Sequence, residues 1–252
     1  MIRCFYIAGT GMITQRNKMD VIINNVTNMD TTGYKQDNLM TRSFSDLLLT
    51  RMNDPAIINQ TREVGPLNTG IHVDEIYIDF TVGAPESTGI PSNLAITSEE
   101  GFFVVQTAEG IQYTRNGAFE VDVNGNLVTQ DGGYVMGTGG PINVGTTENY
   151  SITTDGRVYV GDQQVNQLQI VDWEDRTVLR KTGDNNYLPF NGEAPTQVAN
   201  PSVAQGYLES SNVEMARVMA DLLMTNRVYE ASQRMLSMSD ESLGQTINLG
   251  AF

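Results

Sequence analysis

The stretch MARVMADLLMTNRVYEASQRMLSMSDESL, residues 215–243, decides the fold, because apolar side chains recur in it at every seventh position. Such a repeat places these side chains along one stripe of an α-helix, which is the pattern of a helix that packs against another helix. Ser211 and Asn212 precede the stretch as N-cap candidates, so a C-terminal helix is predicted. The repeat consists of Met215, Leu222, Tyr229, Leu236 and Leu243.

A second helical stripe lies at the opposite end of the chain. Its apolar positions are spaced by three and four residues, with one polar interruption at Gln15. The asparagines near its end lead into a Thr31-Thr32-Gly33 turn, and Asn and Gly tolerate the left-handed conformations that end helices. We therefore expect two terminal helices that pair as a coiled coil. The stripe comprises Phe5, Ala8, Met12, Met19, Ile22 and Val26, and the asparagines are Asn24, Asn25 and Asn28.

Between the two ends the hydrophobic period changes from that of a helix to two, which is typical of β-strands. Tight-turn dipeptides separate the strand candidates: Asn116-Gly117, Asn124-Gly125, Asp131-Gly132 and Asp155-Gly156. Short, evenly spaced strands indicate an antiparallel all-β domain. The predicted strands are residues 70–82, 102–107, 111–115, 118–123, 126–130, 157–161 and 168–173.

The fold class expected from these patterns is α+β, with long N- and C-terminal helices around a central antiparallel β domain. Residues 1–30 and 207–252 are assigned to the helical domain and residues 70–206 to the β-rich domain. Residues 31–69 are expected to form an irregular connector, with a short helix at Ser43–Met52. Residues 174–206 are expected to be a turn-rich return.

The charge is uneven along the 252 residues, whose net charge is −15. Residues 1–60 carry +1, residues 61–205 carry −13, and residues 206–252 carry −3. An acidic middle argues against nucleic acid as a partner, because phosphates require clustered Lys and Arg. The near-neutral ends can pack against further copies without strong repulsion. No apolar run approaches the roughly 20 residues of a membrane-spanning helix, so no membrane insertion is expected.

No arrangement of residues predicts catalysis or a cofactor. A single Cys4 and a single His72 exclude a disulfide and a multi-histidine metal site within the chain. Asp122–Asn126 has its glycine at the fourth position, not at the sixth as in an EF-hand, so a hairpin turn is the better interpretation. Adjacent carboxylates such as Glu99-Glu100 point to opposite faces of a strand, which makes them a poor acid–base pair.

With this helix–β–helix plan established, three stretches resemble the axial protein family of the bacterial flagellum, its rod and hook proteins. The first is INNVTNMDTTGYK at residues 23–35. The second lies within residues 94–137 and contains YTRNGAF at residues 113–119. The third is GYLESSNVEMARVMADLL at residues 206–223. The sequence departs from the family pattern at residues 97–100 and at Cys4, where many relatives carry Gly.

The resemblance implies a structural subunit of the basal-body rod. It implies a helical polymerisation domain at residues 1–30 and 207–252 that forms an inner tube, with residues 70–206 lying outside it. The implied interface comprises the two stripes and the three asparagines named above. The implied partners are copies of the chain, other axial proteins of rod and hook, and the flagellar type III export apparatus. The implied location is the basal body, reached across the cell envelope without a cleaved signal peptide.

Several alternatives remain at this point. Within the family, a distal rod subunit is preferred, a proximal one is close behind, and a hook-type protein is third. Outside it stand an exported carbohydrate-active enzyme and a monomeric binding module. An enzyme requires a cleft with converging carboxylates. A binding module would keep its function without residues 1–28 or 215–252, whereas a rod subunit would not assemble.

Overall fold

The computed structural model of the chain describes residues 2–51, 62–145 and 150–249. These residues form two compact units, each built from separate parts of the chain. The helical unit contains Met1–Val26, Asp37–Tyr77 and Met215–Phe252, and the β unit contains Thr27–Gln36 and Ile78–Glu214. Residues 37–69, which were expected to belong to an irregular connector, are part of the helical unit.

The helical unit confirms the two terminal helices, α1 (Ile2–Thr27) and α2 (Met215–Leu249). It also contains four strands in two pairs: β1 pairs with β4, and β2 pairs with β3 in antiparallel orientation. Their bounds are β1 Asp37–Ser43, β2 Leu47–Arg51, β3 Arg62–Leu67 and β4 Ile71–Ile78. The short helix expected at Ser43–Met52 is wrong, because Leu47–Arg51 is a strand; Met52 lies outside the described residues.

The β unit confirms the central antiparallel region. Its largest sheet has ten strands, with the main order β17-β18-β8-β7-β11-β10-β9 and with β12, β16 and β19 attached beside it. Smaller sheets are β13-β14-β15, β20-β6 and β21-β5. The bounds are β5 Pro85–Ser87, β6 Leu94–Ile96, β7 Phe102–Thr107, β8 Gly110–Thr114, β9 Phe119–Val121, β10 Leu127–Thr129, β11 Tyr134–Gly137, β12 Gly140–Pro141, β13 Tyr150–Ile152, β14 Arg157–Val160, β15 Gln163–Gln167, β16 Ile170–Asp172, β17 Leu179–Gly183, β18 Asn186–Pro189, β19 Thr196–Gln197, β20 Val203–Gln205 and β21 Tyr207–Glu209.

Three of the four expected glycine turns join paired strands. Asn124-Gly125 connects β9 to β10, Asp131-Gly132 connects β10 to β11, and Asp155-Gly156 connects β13 to β14. The glycines of these turns have positive φ, as hairpin turns of this kind require. The turn expected at Asn116-Gly117 is wrong, because β8 and β9 are not neighbours in the sheet. Gly117 is instead required by space, since a Cβ there would lie 1.6 Å from the Leu94 carbonyl oxygen.

Two hydrophobic clusters fill the β unit. One contains Phe103, Phe119 and Leu127, and the other contains Phe102, Tyr113 and Trp173. The rings of Tyr113 and Trp173 meet edge to face, with centroids 4.6 Å apart. Phe102 and Phe103 are consecutive and belong to different clusters, as alternation along a strand dictates. Strand β7 therefore has a buried core on each face.

Candidate assembly site

The heptad stripe of α2 is covered along the helix. Val218 and Thr225 are buried, at 7% and 2% exposed, and alternate with half-buried residues at spacings of four and three. The half-buried members are Leu222, Tyr229, Ser232, Leu236, Ser239 and Leu243. Met215, the first residue of the predicted repeat, is half exposed and lies outside this covered run. The period of burial thus follows the seven-residue period of the sequence.

The stripe of α1 is covered as well. Ala8 and Ile22 are buried, and Phe5, Met12, Met19 and Val26 are half-buried. A second covered line on the same helix includes Thr14 and Asn25, which are both buried. Because two lines of residues are covered, α1 has packing partners on more than one side.

One of those partners is the β structure of the helical unit. The ring of Tyr6 lies 6.2 Å from that of Phe44, which stacks on His72 at 4.9 Å. At Gly70, a Cβ would lie 2.4 Å from the Thr10 hydroxyl oxygen of α1. The backbone at Gly70 therefore approaches α1 more closely than any larger residue allows.

The two helices face each other across an open groove of about 820 Å³. Its walls include Ala8, Gly11 and Gln15 of α1 and Ser232, Met235 and Ser239 of α2. A Cβ at Gly11 would be 3.7 Å from the Ser232 hydroxyl oxygen, so the helices are in contact distance at this level. No charged side chain lines the groove among the described residues.

Beside its covered stripe, α2 presents large apolar side chains to solvent. Met224 is 67% exposed and Met235 is 60% exposed, and Leu223, Met238 and Ile247 are exposed to a similar degree. Met224, Val228, Ala231, Met235 and Met238 follow one another at spacings of four and three, and all five are exposed. We refer to these five residues as the outer α2 stripe. A continuous apolar line on the surface of a folded chain indicates an interaction site.

The three asparagines after the α1 stripe have different surroundings. Asn24 is exposed and Asn28 is half-buried, whereas Asn25 is 4% exposed. The Asn25 side chain donates to the Asp37 carbonyl oxygen at 2.8 Å and accepts from the Asp37 amide at 2.9 Å. It thereby binds the start of β1 as a neighbouring strand would. Both hydrogen bonds are formed within one chain and not between copies of it.

A buried charge centre in the β unit joins the three stretches on which the family resemblance depends. Lys35 and Glu209 form an ion pair, and both are almost fully buried, at 0% and 2% exposed. The second oxygen of the Glu209 carboxylate lies 3.4 Å from the Arg115 guanidinium, which is also buried. Lys35, Arg115 and Glu209 belong to the first, second and third stretch respectively, so the stretches converge at one point.

Backbone groups complete this centre. Lys35 donates to the Thr81 carbonyl oxygen at 2.7 Å, and the Gly83 amide donates to Glu209 at 3.0 Å. Arg115 donates to the Ser98 carbonyl oxygen at 3.1 Å. Its guanidinium also lies over the Phe102 ring, 5.3 Å from the centroid. The single carboxylate is thus assisted by carbonyl oxygens and a ring face in balancing two cations.

The two cations are affected by burial in the same direction. Burial lowers the pKa of Lys35, and the negative charge of Glu209 opposes part of that effect. Burial likewise lowers the pKa of Arg115, again opposed by Glu209. Because a charged group loses its hydration when it is buried, Glu209 is the group that makes two charged side chains tolerable there.

This centre could not be identified from sequence alone. Lys35, Arg115 and Glu209 lie in the stretches that resemble the family, but each stretch contains other charged residues, so charge alone does not distinguish them. They are separated by 80 and 94 positions, so no local period connects them. No group of metal-binding side chains occurs among the residues that the structure describes. In the same residues, no helix is long and apolar enough to cross a membrane.

Comparison with known proteins gives matches along the chain. Residues 5–35 match the family described as flagella basal body rod protein, and residues 204–249 match the flagellar basal body rod FlgEFG protein C-terminal family. Residues 95–160 match the flagellar hook protein FlgE/F/G D1 domain. These matches contain Lys35, Arg115 and Glu209, so each contributes one member of the charge centre.

Whole-chain relatives agree with these matches. Flagellar basal-body rod protein FlgG of Agrobacterium fabrum is 32% identical, over 95% of this chain and 96% of the relative. Flagellar hook-basal body complex protein FlhO of Bacillus subtilis is 30% identical, over 98% of each chain. Flagellar basal-body rod protein FlgF of Caulobacter vibrioides is 30% identical, over 96% of this chain and 95% of the relative. The chain belongs to the flagellar basal-body rod protein family, whose members are structural parts of the flagellum.

Proposed function

We propose that the chain is a rod subunit that assembles through its helical unit into a helical tube, transmits torque from motor to hook, and catalyses no reaction. The observation that carries this proposal is the outer α2 stripe. A monomeric protein has little reason to display five apolar residues in a continuous heptad line along a helix. Copies of the chain or other axial proteins of rod and hook are the partners that would bury this line.

The geometry of the helices supports assembly into an open filament. The covered stripe of α2 accounts for packing inside the subunit. The outer stripe is exposed, with Val228, Met235 and Met238 along the open groove beside α1, and offers its apolar surface to a neighbour. Two different surfaces on one subunit, used head to tail, generate a helical array and not a closed ring when the rotation does not close. Pairing of α1 with α2 as a coiled coil is part of this proposal, and their contact distance at Gly11 and Ser232 is consistent with it.

The location follows from the same proposal. As a basal-body component, the chain would be exported by the flagellar type III apparatus without a cleaved signal peptide and would cross the envelope in that way. The acidic segment at residues 61–205, with its net charge of −13, would limit side-by-side aggregation of β units through mutual repulsion. A distal rod position remains our first choice within the rod, and a proximal position is the alternative.

The test is a strain in which the chain carries Leu222→Asp together with Leu236→Asp. Both residues are half-buried members of the covered α2 stripe, so a carboxylate there opposes packing of the helix. We expect non-motile cells and basal bodies with truncated rods in electron micrographs. Asn226→Asp, an exposed polar position on the same helix, is the matched control and should leave cells motile. Normal rods in the double variant would contradict the proposal.

A further inference from the structure

The chain passes between the helical unit and the β unit at four places, and the β-unit residues next to three of them are joined by hydrogen bonds. Gln36 is the last residue before the chain departs towards β1, Asp79 follows closely on its return from β4, and Asn212 lies just before α2. The Gln36 carbonyl oxygen accepts from the Asp79 amide at 2.9 Å, which joins the first two segments directly.

Asn212 joins the third segment to both of the others through its side chain. Its carboxamide oxygen accepts from the Gln36 amide at 2.8 Å. Its carboxamide nitrogen donates to the Asp79 carbonyl oxygen at 2.8 Å and to the Thr81 hydroxyl at 3.0 Å. Three of the four hydrogen bonds that a carboxamide can form are therefore made to two other segments of the chain.

The sequence had suggested a different role for this residue, as a cap for α2. The helix begins at Met215, three residues later, and the Asn212 side chain is directed to residues 36, 79 and 81 instead. The charge centre links neighbouring residues of the same three segments. Lys35 precedes Gln36, Thr81 follows Asp79, and Glu209 precedes Asn212, so the same three segments are linked a second time.

We infer that Asn212 is a positioning residue that makes these three connections share mechanical load. The inference rests on the proposed function, because only a subunit that carries torque has load to share. A force on one connection reaches the other two through hydrogen bonds of a single side chain. Without that side chain, the segment before α2 loses its direct bonds to the other two. The three segments are then held together only by the Gln36–Asp79 bond and the charge centre, so the first of them yields at lower force.

The test compares Asn212→Ala, Asn212→Asp and wild type, with Asn200→Ala as a control at an exposed asparagine. In the purified full chain, amide hydrogen exchange at Gln36 should accelerate about fivefold to tenfold in Asn212→Ala, the factor expected for one lost hydrogen bond. Asn212→Asp keeps an oxygen for the Gln36 amide and loses the donors to residues 79 and 81, so its effect should be smaller. Asn200→Ala should match wild type.

The functional measurement is the rotation speed of cells in media of increasing viscosity. We expect Asn212→Ala cells to assemble rods and turn normally at low load, and to stall at a lower load than wild type. Should Asn212→Ala yield too few rods, Asn212→Asp is measured in its place, with the same direction of effect. Unchanged exchange at Gln36, or rotation equal to wild type over the whole range of load, would overturn the inference.

Failure of the proposed function has a different result. If the chain is not a rod subunit, cells that lack it entirely form normal basal bodies and swim, whatever residue stands at position 212. If only the inference about Asn212 fails, cells lacking the chain have no complete rod, and Asn212→Ala cells carry the full load.

Discussion

The β unit and the helical unit bury their apolar residues to very different degrees. In the β unit, both faces of β7 are packed, and Phe102, Phe103 and Leu127 have no exposed surface. In the helical unit, α2 buries only Val218 and Thr225 among the residues whose burial the structure describes, and it presents Met224, Met235 and Met238 to solvent. A core of this kind stabilises a unit by itself, whereas an exposed apolar helix gains its burial from a neighbour. The difference supports the proposal made above, in which the β unit supplies stability and the helical unit supplies assembly.

The largest effect is expected where the β unit depends on a single carboxylate. Glu209→Gln preserves the shape of the side chain and leaves Lys35 and Arg115 as buried cations without their shared ion-pair partner. Removing one partner of a buried ion pair typically costs about 3–5 kcal/mol. We expect a loss of that size in the free energy of unfolding of the β unit, measured by urea denaturation followed by Trp173 fluorescence.

The control for this variant is Glu214→Gln, which neutralises an exposed carboxylate close by in the sequence. It should change the free energy of unfolding by less than about 0.5 kcal/mol. A Glu209→Gln protein as stable as this control would show that the two cations do not need the carboxylate. The buried charge centre would then not be a source of the stability assigned to the β unit.

The next effect concerns how tightly the segment after α1 is held in the β unit. Gly33 has φ of +66°, and a Cβ there would lie 2.5 Å from the Arg115 carbonyl carbon. Gly132 has φ of +81°, and a Cβ built on Gly132 would meet no atom within 4 Å outside its chain neighbours. Gly33→Ala should cost about 2–5 kcal/mol, from left-handed strain and a backbone clash together, and Gly132→Ala about 1–2 kcal/mol from the strain alone.

Thermal unfolding of the two alanine variants measures that difference directly. Equal losses would mean that the backbone around Arg115 can move away, and therefore that the segment is held less tightly than the contacts indicate.

The smallest effect is expected in the helical unit, at the link between α1 and β1. Asn25→Ala removes two hydrogen bonds to the backbone of Asp37 and should cost about 1–2 kcal/mol. Because these bonds are internal to the helical unit, the Asp37 amide should exchange faster while the β unit unfolds at the wild-type urea concentration. Asn17→Ala, an exposed asparagine on the same helix, should leave both quantities unchanged. A shift in the β-unit transition would contradict the separation of the two units.

The regular parts of this fold follow from sequence periods. The seven-residue repeat from Leu222 to Leu243 predicts both the existence of α2 and its covered side, since burial follows the same period. The short apolar run at Phe102–Val105, continued by Gln106 and Thr107, predicts β7 with its observed bounds. In each case the signal is local and repeats several times, so neighbouring residues reinforce it.

Single short signals were less informative. The apolar run at Leu47–Leu49 is compatible with helix or strand, and its pairing with Gly65–Leu67 decides the outcome. Asn116-Gly117 has the composition of a hairpin turn, yet its glycine serves a close approach to Leu94. The charge centre and the Asn212 tie depend on contacts between distant segments, which no local pattern encodes. They lie in stretches that resemble the family, so that resemblance pointed to the right segments without giving the role of each residue.

The most direct test of the division between the two units replaces Met224 and Ala231 by Asp in the same chain. Both are exposed members of the outer α2 stripe, and neither lines the groove between α1 and α2, so the charges should not disturb folding. The account predicts urea unfolding and helix content equal to wild type, together with cells that build no complete rod and do not swim. A variant that folds normally and still forms complete rods would contradict the claim that the outer α2 stripe is the assembly surface.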